Sequence, residues 1–218
     1  MKRTSDAPKR TMKAYKLFVV EREHPGKLFS KYIETENERR DPITMNGWYD
    51  AEFGPVKSNG KVKGKHGGNF AKRPGYHLCE YPCAPHIGEE EDGKIKWRRE
   101  NEVWAEVEMS ADVDWQMEAD SRAEVGKNGK IKQWSACIKD QIPVNGFYSF
   151  KTNTSACDKF NWYIAGSLRV VRLLSDEEVE SINSEIGVSD LPRRPDQPFD
   201  PEEYGFEPFE RLAASFGM

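Results

Sequence analysis

The chain has 218 residues, 37% hydrophobic and 32% charged, with a formal net charge of −4. That length fits one domain with decoration, and the negative balance excludes a protein that coats nucleic acid through bulk basicity. No run of about 18 apolar residues occurs, so no membrane-spanning helix is expected. Six tryptophans, eight tyrosines and eleven phenylalanines supply the large burial areas a core needs. The charged start is followed by no apolar stretch, which predicts no secretory leader. The four cysteines are then expected as reduced thiols of a cytoplasmic protein.

Residues 1–13 carry Lys2, Arg3, Lys9, Arg10 and Lys13 around Pro8 and read as a flexible basic arm. One α+β domain is expected over 14–187. The first strand is predicted at 15–21, where aromatic and β-branched residues run up to the stop at Pro25 and Gly26. In 27–40, Leu28, Phe29, Tyr32 and Ile33 suit either a short helix or a strand followed by a loop. The aromatic stretch 47–53 is a further strand.

A short string then recurs at Asn59-Gly60-Lys61, Asp92-Gly93-Lys94 and Asn128-Gly129-Lys130. Asn-Gly and Asp-Gly supply the positive φ values of type I′ turns, so three hairpin tips and an antiparallel sheet are predicted. Between the second and third tips, Val103, Ala105, Val107 and Met109 alternate with Glu102, Trp104, Glu106 and Glu108. That period of two describes a half-buried strand with an acidic side. The acidic stretch 112–124 suits a continued strand or a surface helix equally. Strands follow at 146–152 and 162–174, with Gly166 marking a bulge or bend inside the second. Ser175 and Glu178 match a capping box, Val179, Ile182 and Ile186 recur at helical spacing, and Gly187 sits at the C′ position. A helix over 175–186 is therefore predicted. Residues 188–218 form a proline-punctuated acidic and aromatic tail.

The chemistry is densest in 73–88. His77, Cys79, Cys83 and His86 are ligand types that zinc accepts, but their spacing is unlike the paired ligands of structural zinc sites, so no metal is expected. The preceding loop, 54–72, holds Lys57, Lys61, Lys63, Lys65 and His66 among five glycines. Glycines let backbone N–H groups approach an anion and lysines raise its local concentration. That loop feeds Arg73, Tyr76 and His77. No Walker-type sequence occurs, which excludes a P-loop NTPase. A histidine and one carboxylate facing a common cleft would suit general acid–base work.

The order of these elements resembles the ADP-ribosyltransferase-like fold, a twisted, mostly antiparallel split sheet with few helices. Arg73-x3-His77-Leu78 is similar to the Arg-x-His-x-His-Leu element of the RNA 2′-phosphotransferase branch. The chain also resembles small proteins of phages and mobile elements. The likeness implies binding of NAD, or of a nucleotide or RNA phosphate, with NAD as cofactor. Arg73, Tyr76 and Lys65 would contact the ligand and His77, His86 and Glu106 would do the chemistry. The stretch 15–21 offers Lys16 where the family has Arg or His, and 147–152 has no counterpart of its late glutamate. The alternative is a non-enzymatic protein that modulates a host factor through the acidic face 100–124 or the tail.

Overall fold

Alternation builds the architecture. β1 (Thr11–Val20) and β9 (Glu102–Ser110) run antiparallel from Thr11↔Ser110 to Val19↔Glu102. Ala14, Phe18, Val20, Val103, Ala105, Val107 and Met109 pack on one side of this pair, and Tyr15, Leu17 and Trp104 on the other. β1 is thus largely apolar on two faces, while β9 sets an apolar face against one that carries Trp104 among three glutamates. The structure is a computed structural model and describes residues 7–31, 42–52, 56–63, 69–70, 74–129, 131–132, 137–138, 142–152 and 157–209.

In chain order β1 is followed by β2 (Leu28–Ser30), β3 (Trp48–Asp50), β4 (Val62–Lys63), β5 (Asn69–Phe70), β6 (Tyr76–Cys79), β7 (Glu89–Glu91) and β8 (Lys94–Trp97). After β9 come β10 (Val113–Asp114), α1 (Gln116–Ser121), β11 (Glu124–Val125), β12 (Ile131–Lys132), β13 (Gly146–Phe150), β14 (Trp162–Ala165), β15 (Ser167–Leu173) and α2 (Asp176–Ser184). The main sheet has the order β10-β13-β14-β6-β1-β9-β15-β3, with β2 also on β1. Its pairings are antiparallel except β10 with β13. The protein is therefore α+β, with a largely antiparallel sheet.

β14 and β15 are one segment interrupted only by Gly166, yet β14 pairs with β13 and β6 while β15 pairs with β9 and β3. The segment turns a corner from one arm of the sheet to the other. A Cβ at Gly166 would lie 2.0 Å from the Pro143 carbonyl oxygen, so only glycine lets the backbones meet there. Between the arms, β6 touches β1 through the single pair Tyr15↔Cys79.

One face of the sheet is covered by β2, Ile43, Tyr49 and Ala51, the other by α1, α2 and the loops that carry Cys83, Ile138 and Phe160. The capping box of α2 is present, with the Glu178 N–H donating to Ser175 Oγ at 3.2 Å and the Ser175 N–H to Glu178 Oε2 at 2.9 Å. Gly187 has φ +62°.

Several expectations need correction. Residues 11–13, read as part of a loose arm, belong to β1, because Thr11, Met12 and Lys13 pair with Ser110, Met109 and Glu108. Just before them, the backbone N–H groups of Lys9 and Arg10 donate to Asp112 at 3.1 and 2.6 Å. The stretch after Gly26 is strand at β2, and 32–41 lie outside the described residues. Of the three predicted tips, only Asp92 (φ 54°) and Gly93 (φ 74°) have the two positive φ values of a type I′ turn. At the other two only Gly60 and Gly129 are left-handed, and all three lie in small ribbons apart from the main sheet.

The tail is part of the fold as far as 209. Tyr204 is 3% exposed and stacks on Phe199 at 5.4 Å, and Phe199, Phe206 and Phe209 pack against the first core face. Asp190 anchors the tail through its side chain, which is 5% exposed. Both its oxygens accept from Arg98 at 2.6 Å, and Trp104 Nε1 and the Ala84 N–H donate to it at 2.7 and 2.8 Å. Arg98, 3% exposed, also donates to Glu102 and to the Ile87 carbonyl. Buried charges persist only when matched in this way.

Candidate functional site

The residues singled out in the sequence separate into three places. His77, on β6, shares a face with Cys79; its ring centroid lies 4.9 Å from Trp162 and 5.3 Å from Phe150. His86 is exposed on the loop after β6 and approaches the same indole at 6.0 Å. The two histidines therefore converge on Trp162. Strand alternation sends Tyr76 to the opposite face, where its hydroxyl donates to the Asp50 carbonyl at 3.1 Å. Arg73 and Lys65 lie outside the described residues.

Glu106 is held elsewhere by a bulge. β15 shifts register against β9 between Val170 and Arg172, and the extra residue, Val171, brings Arg169 and Arg172 onto one side although they are three apart. Arg169 then meets Glu108 at 2.5 Å and Arg172 meets Glu106 at 3.5 Å while also contacting Glu178. The acidic side expected on β9 is thus neutralised, and Glu102 is buried against Arg98 and Lys31.

Beside the histidines is a thiol cluster that the sequence did not mark. Cys157 Sγ lies 3.9 Å from His86 Nδ1 and 3.9 Å from the Cys83 carbonyl oxygen, and the two side chains of Cys83 and Cys157 interact directly. The Cys83 thiol in turn faces the Ser189 carbonyl at 3.4 Å. The Cys83 side-chain contact and, next to it, His86 pull the Cys157 thiol down to about 6, against the opposing effect of burial. That same contact pushes Cys83 up, and burial pushes Cys79 up. All four cysteines are free. Among the described residues no group of three or more His, Cys, Asp or Glu side chains is arranged to hold a metal ion, and no helix is long and apolar enough to cross a membrane.

The third place is the sheet edge at β10. A cleft of about 430 Å³ opens there between Arg10, Thr11, Met12, Ala111, Asp114 and Phe147. The Val113 N–H donates to the Asn145 carbonyl at 3.1 Å, which brings Val113 beside the turn that carries Val144. The two valines are 41% and 44% exposed, and Met117 on α1 is 87% exposed. Contiguous exposed apolar surface marks an interaction site. The stretch 112–124 also carries Asp112, Asp114, Glu118, Asp120 and Glu124, with Arg122 the one cation in it, and Arg122 pairs with Glu118 at 2.5 Å.

Comparison with protein-family models, curated proteins and solved structures finds no match to this chain.

Proposed function

We propose that the protein is a non-enzymatic interaction module whose β10–α1 end binds a basic, apolar-tipped segment of another protein. The observation that carries this reading is the exposure of Val113, Met117 and Val144 on and beside the acid-rich stretch 112–124. Apolar contact supplies affinity and the acidic stretch selects a cationic partner and speeds encounter. In the phage and mobile-element setting that the sequence resembles, the partner is a host factor. The tail is the weaker surface for this task, because Phe199, Tyr204, Phe206 and Phe209 are spent on the protein's own core. The test is affinity capture with the wild-type chain and with Met117→Asp at low and high salt. One partner, lost in the variant and weakened by salt, is expected. A partner held equally by both chains, or none at all, sinks the reading.

A second reading is an ADP-ribosyltransferase-like domain that binds NAD or a nucleotide phosphate. The convergence of His77 and His86 on Trp162, beside the split between β6 and β1, favours it. The engagement of Glu106 by Arg172 and the turn of Tyr76 to the other face weigh against it. NAD or ADP-ribose would raise the melting temperature, and His77→Ala would abolish that shift; no shift with either ligand removes this alternative.

A further inference from the structure

The buried Arg98–Asp190–Glu102 network is accounted for by holding the tail, whereas neither reading uses the thiols of the Cys83–Cys157–His86 cluster. The cluster is different, since thiols brought together from positions 83 and 157 beside an exposed imidazole have no structural need of that imidazole.

We propose that Cys157 is a peroxide-reactive thiol, activated by His86 and resolved by Cys83 into an intramolecular disulfide. Three features of the site support it. Cys157 Sγ faces His86 Nδ1 at 3.9 Å, and a cationic or hydrogen-bonding imidazole favours the thiolate, which is the nucleophilic form. The neighbouring Cys83 keeps its proton, for its thiol is pushed up while Cys157 is pulled down to about 6. One sulfur is thus poised to attack and the other to resolve. The pair also ties two parts of the chain together, because Cys83 contacts the Ser189 carbonyl next to Asp190. Oxidation there acts directly on the anchorage of the tail.

The chemistry balances with a hydroperoxide as oxidant. The Cys157 thiolate attacks one peroxide oxygen, the O–O bond breaks, and the departing hydroxide takes a proton to become water. Cys157 is left as sulfenic acid. Cys83 sulfur then attacks Cys157 sulfur, the S–O bond breaks, and the hydroxide released takes the Cys83 proton. Two thiols and hydrogen peroxide give one disulfide and two waters, the sulfurs losing the two electrons that the peroxide oxygens gain.

The experiment treats the folded full chain with hydrogen peroxide and maps the products by mass spectrometry. The expected product has lost two hydrogens and links Cys83 to Cys157. Cys83→Ser should stop at a dimedone-trappable sulfenic acid on Cys157, and Cys157→Ser should give neither product. With His86→Asn, oxidation at pH 7 should slow severalfold, because the imidazole that helps the Cys83 contact to hold the Cys157 thiolate is gone. In the wild type, alkylation of Cys157 by iodoacetamide should fall off as the pH is lowered through about 6. His86 is exposed, so that variant also keeps the fold, which a melting curve checks. A linkage that forms only after denaturation, a bridge through Cys79 or Cys137 instead, or an oxidation rate unchanged by His86→Asn would overturn the proposal.

Discussion

The two ends of the sheet use the same side-chain types in opposite ways. Where the tail crosses β8 and β9, Arg98 is buried with Asp190 and Glu102, and Arg193 meets the more exposed Asp176 and the Glu102 carbonyl. At the β10 end the acids make short local contacts at the surface, Glu118 with Arg122 at 2.5 Å and Asp114 with the Gln116 N–H at 2.8 Å, and α1 is only six residues long. Trp104 donates its indole N–H to Asp190 at 2.7 Å, whereas that of Trp115 is buried with no acceptor among the described residues. A matched charge in the interior fixes one arrangement of the chain, while a charge in a local surface contact adds little to the fold and is available to a partner.

The sharpest way to break that contrast is to remove one partner of a buried pair. Asp190→Ala leaves Arg98, 3% exposed, without its bidentate acceptor, and strands Trp104 Nε1 as well. A loss of about 3–5 kcal/mol is expected, read from the midpoint of urea unfolding. The double variant Arg98→Met with Asp190→Leu should recover only part of it, since it removes the stranded charge but leaves Trp104 Nε1 without its acceptor and Glu102 without Arg98. If Asp190→Ala unfolds at the wild-type midpoint, the tail is not held by this pair.

Next in size is the corner that joins the arms. A methyl at Gly166 would stand 2.0 Å from the Pro143 oxygen and 2.8 Å from the Val144 Cα, both backbone atoms that cannot swing aside. Gly166→Ala should cost about 1–3 kcal/mol, the usual penalty of overpacking. Gly129→Ala meets no atom within 4 Å but sits at φ +75°, so its smaller cost of about 1 kcal/mol measures the backbone preference alone. The ratio of the two separates crowding from conformation.

Smaller again is the helix start. Ser175→Ala removes the acceptor of the Glu178 N–H, and a loss of about 1 kcal/mol is expected in a thermal melt. Ser175→Asp should restore it, because an acid at that end also suits the helix dipole, as Asp176, Glu177 and Glu178 already do.

These effects also separate what could be read in the chain from what could not. The capping box, the two-residue period of β9 and the role of Gly166 are local, and each was visible as a short pattern of residue types. The arm boundary was misread because Lys9, Arg10 and Lys13 look solvated on charge alone, while Asp112, about a hundred positions away, supplies the acceptor for the start of β1. The acidic side of β9 was misread for a similar reason, since its neutralisation depends on one inserted residue in β15. Proline punctuation made 188–218 read as a tail, and as far as 209 its aromatics help to cover the first core face. For the candidate site, the density of 73–88 draws attention to His77 and His86, which the structure places beside Trp162, but no local signal joins Cys157 to Cys83 across 74 positions.

The least destabilising change is the one with the most functional content. Met117 is 87% exposed on a helix of six residues, so Met117→Asp removes no packed surface, and an acid in the first turn is tolerated by the helix dipole. Its effect on stability should stay within about 0.5 kcal/mol, as for surface positions without special contacts. The same change adds a charge to the acid-rich stretch 112–124, where an apolar partner side chain would have to be desolvated against it. Binding through this end should therefore fall by tenfold or more while the unfolding midpoint stays put, measured on one preparation by affinity capture and urea titration. A large drop in stability would mean that Met117 belongs to the core of that end. An unchanged affinity would mean that the partner docks elsewhere. Only loss of binding at constant stability agrees with a surface whose exposed apolar groups serve another chain rather than the fold.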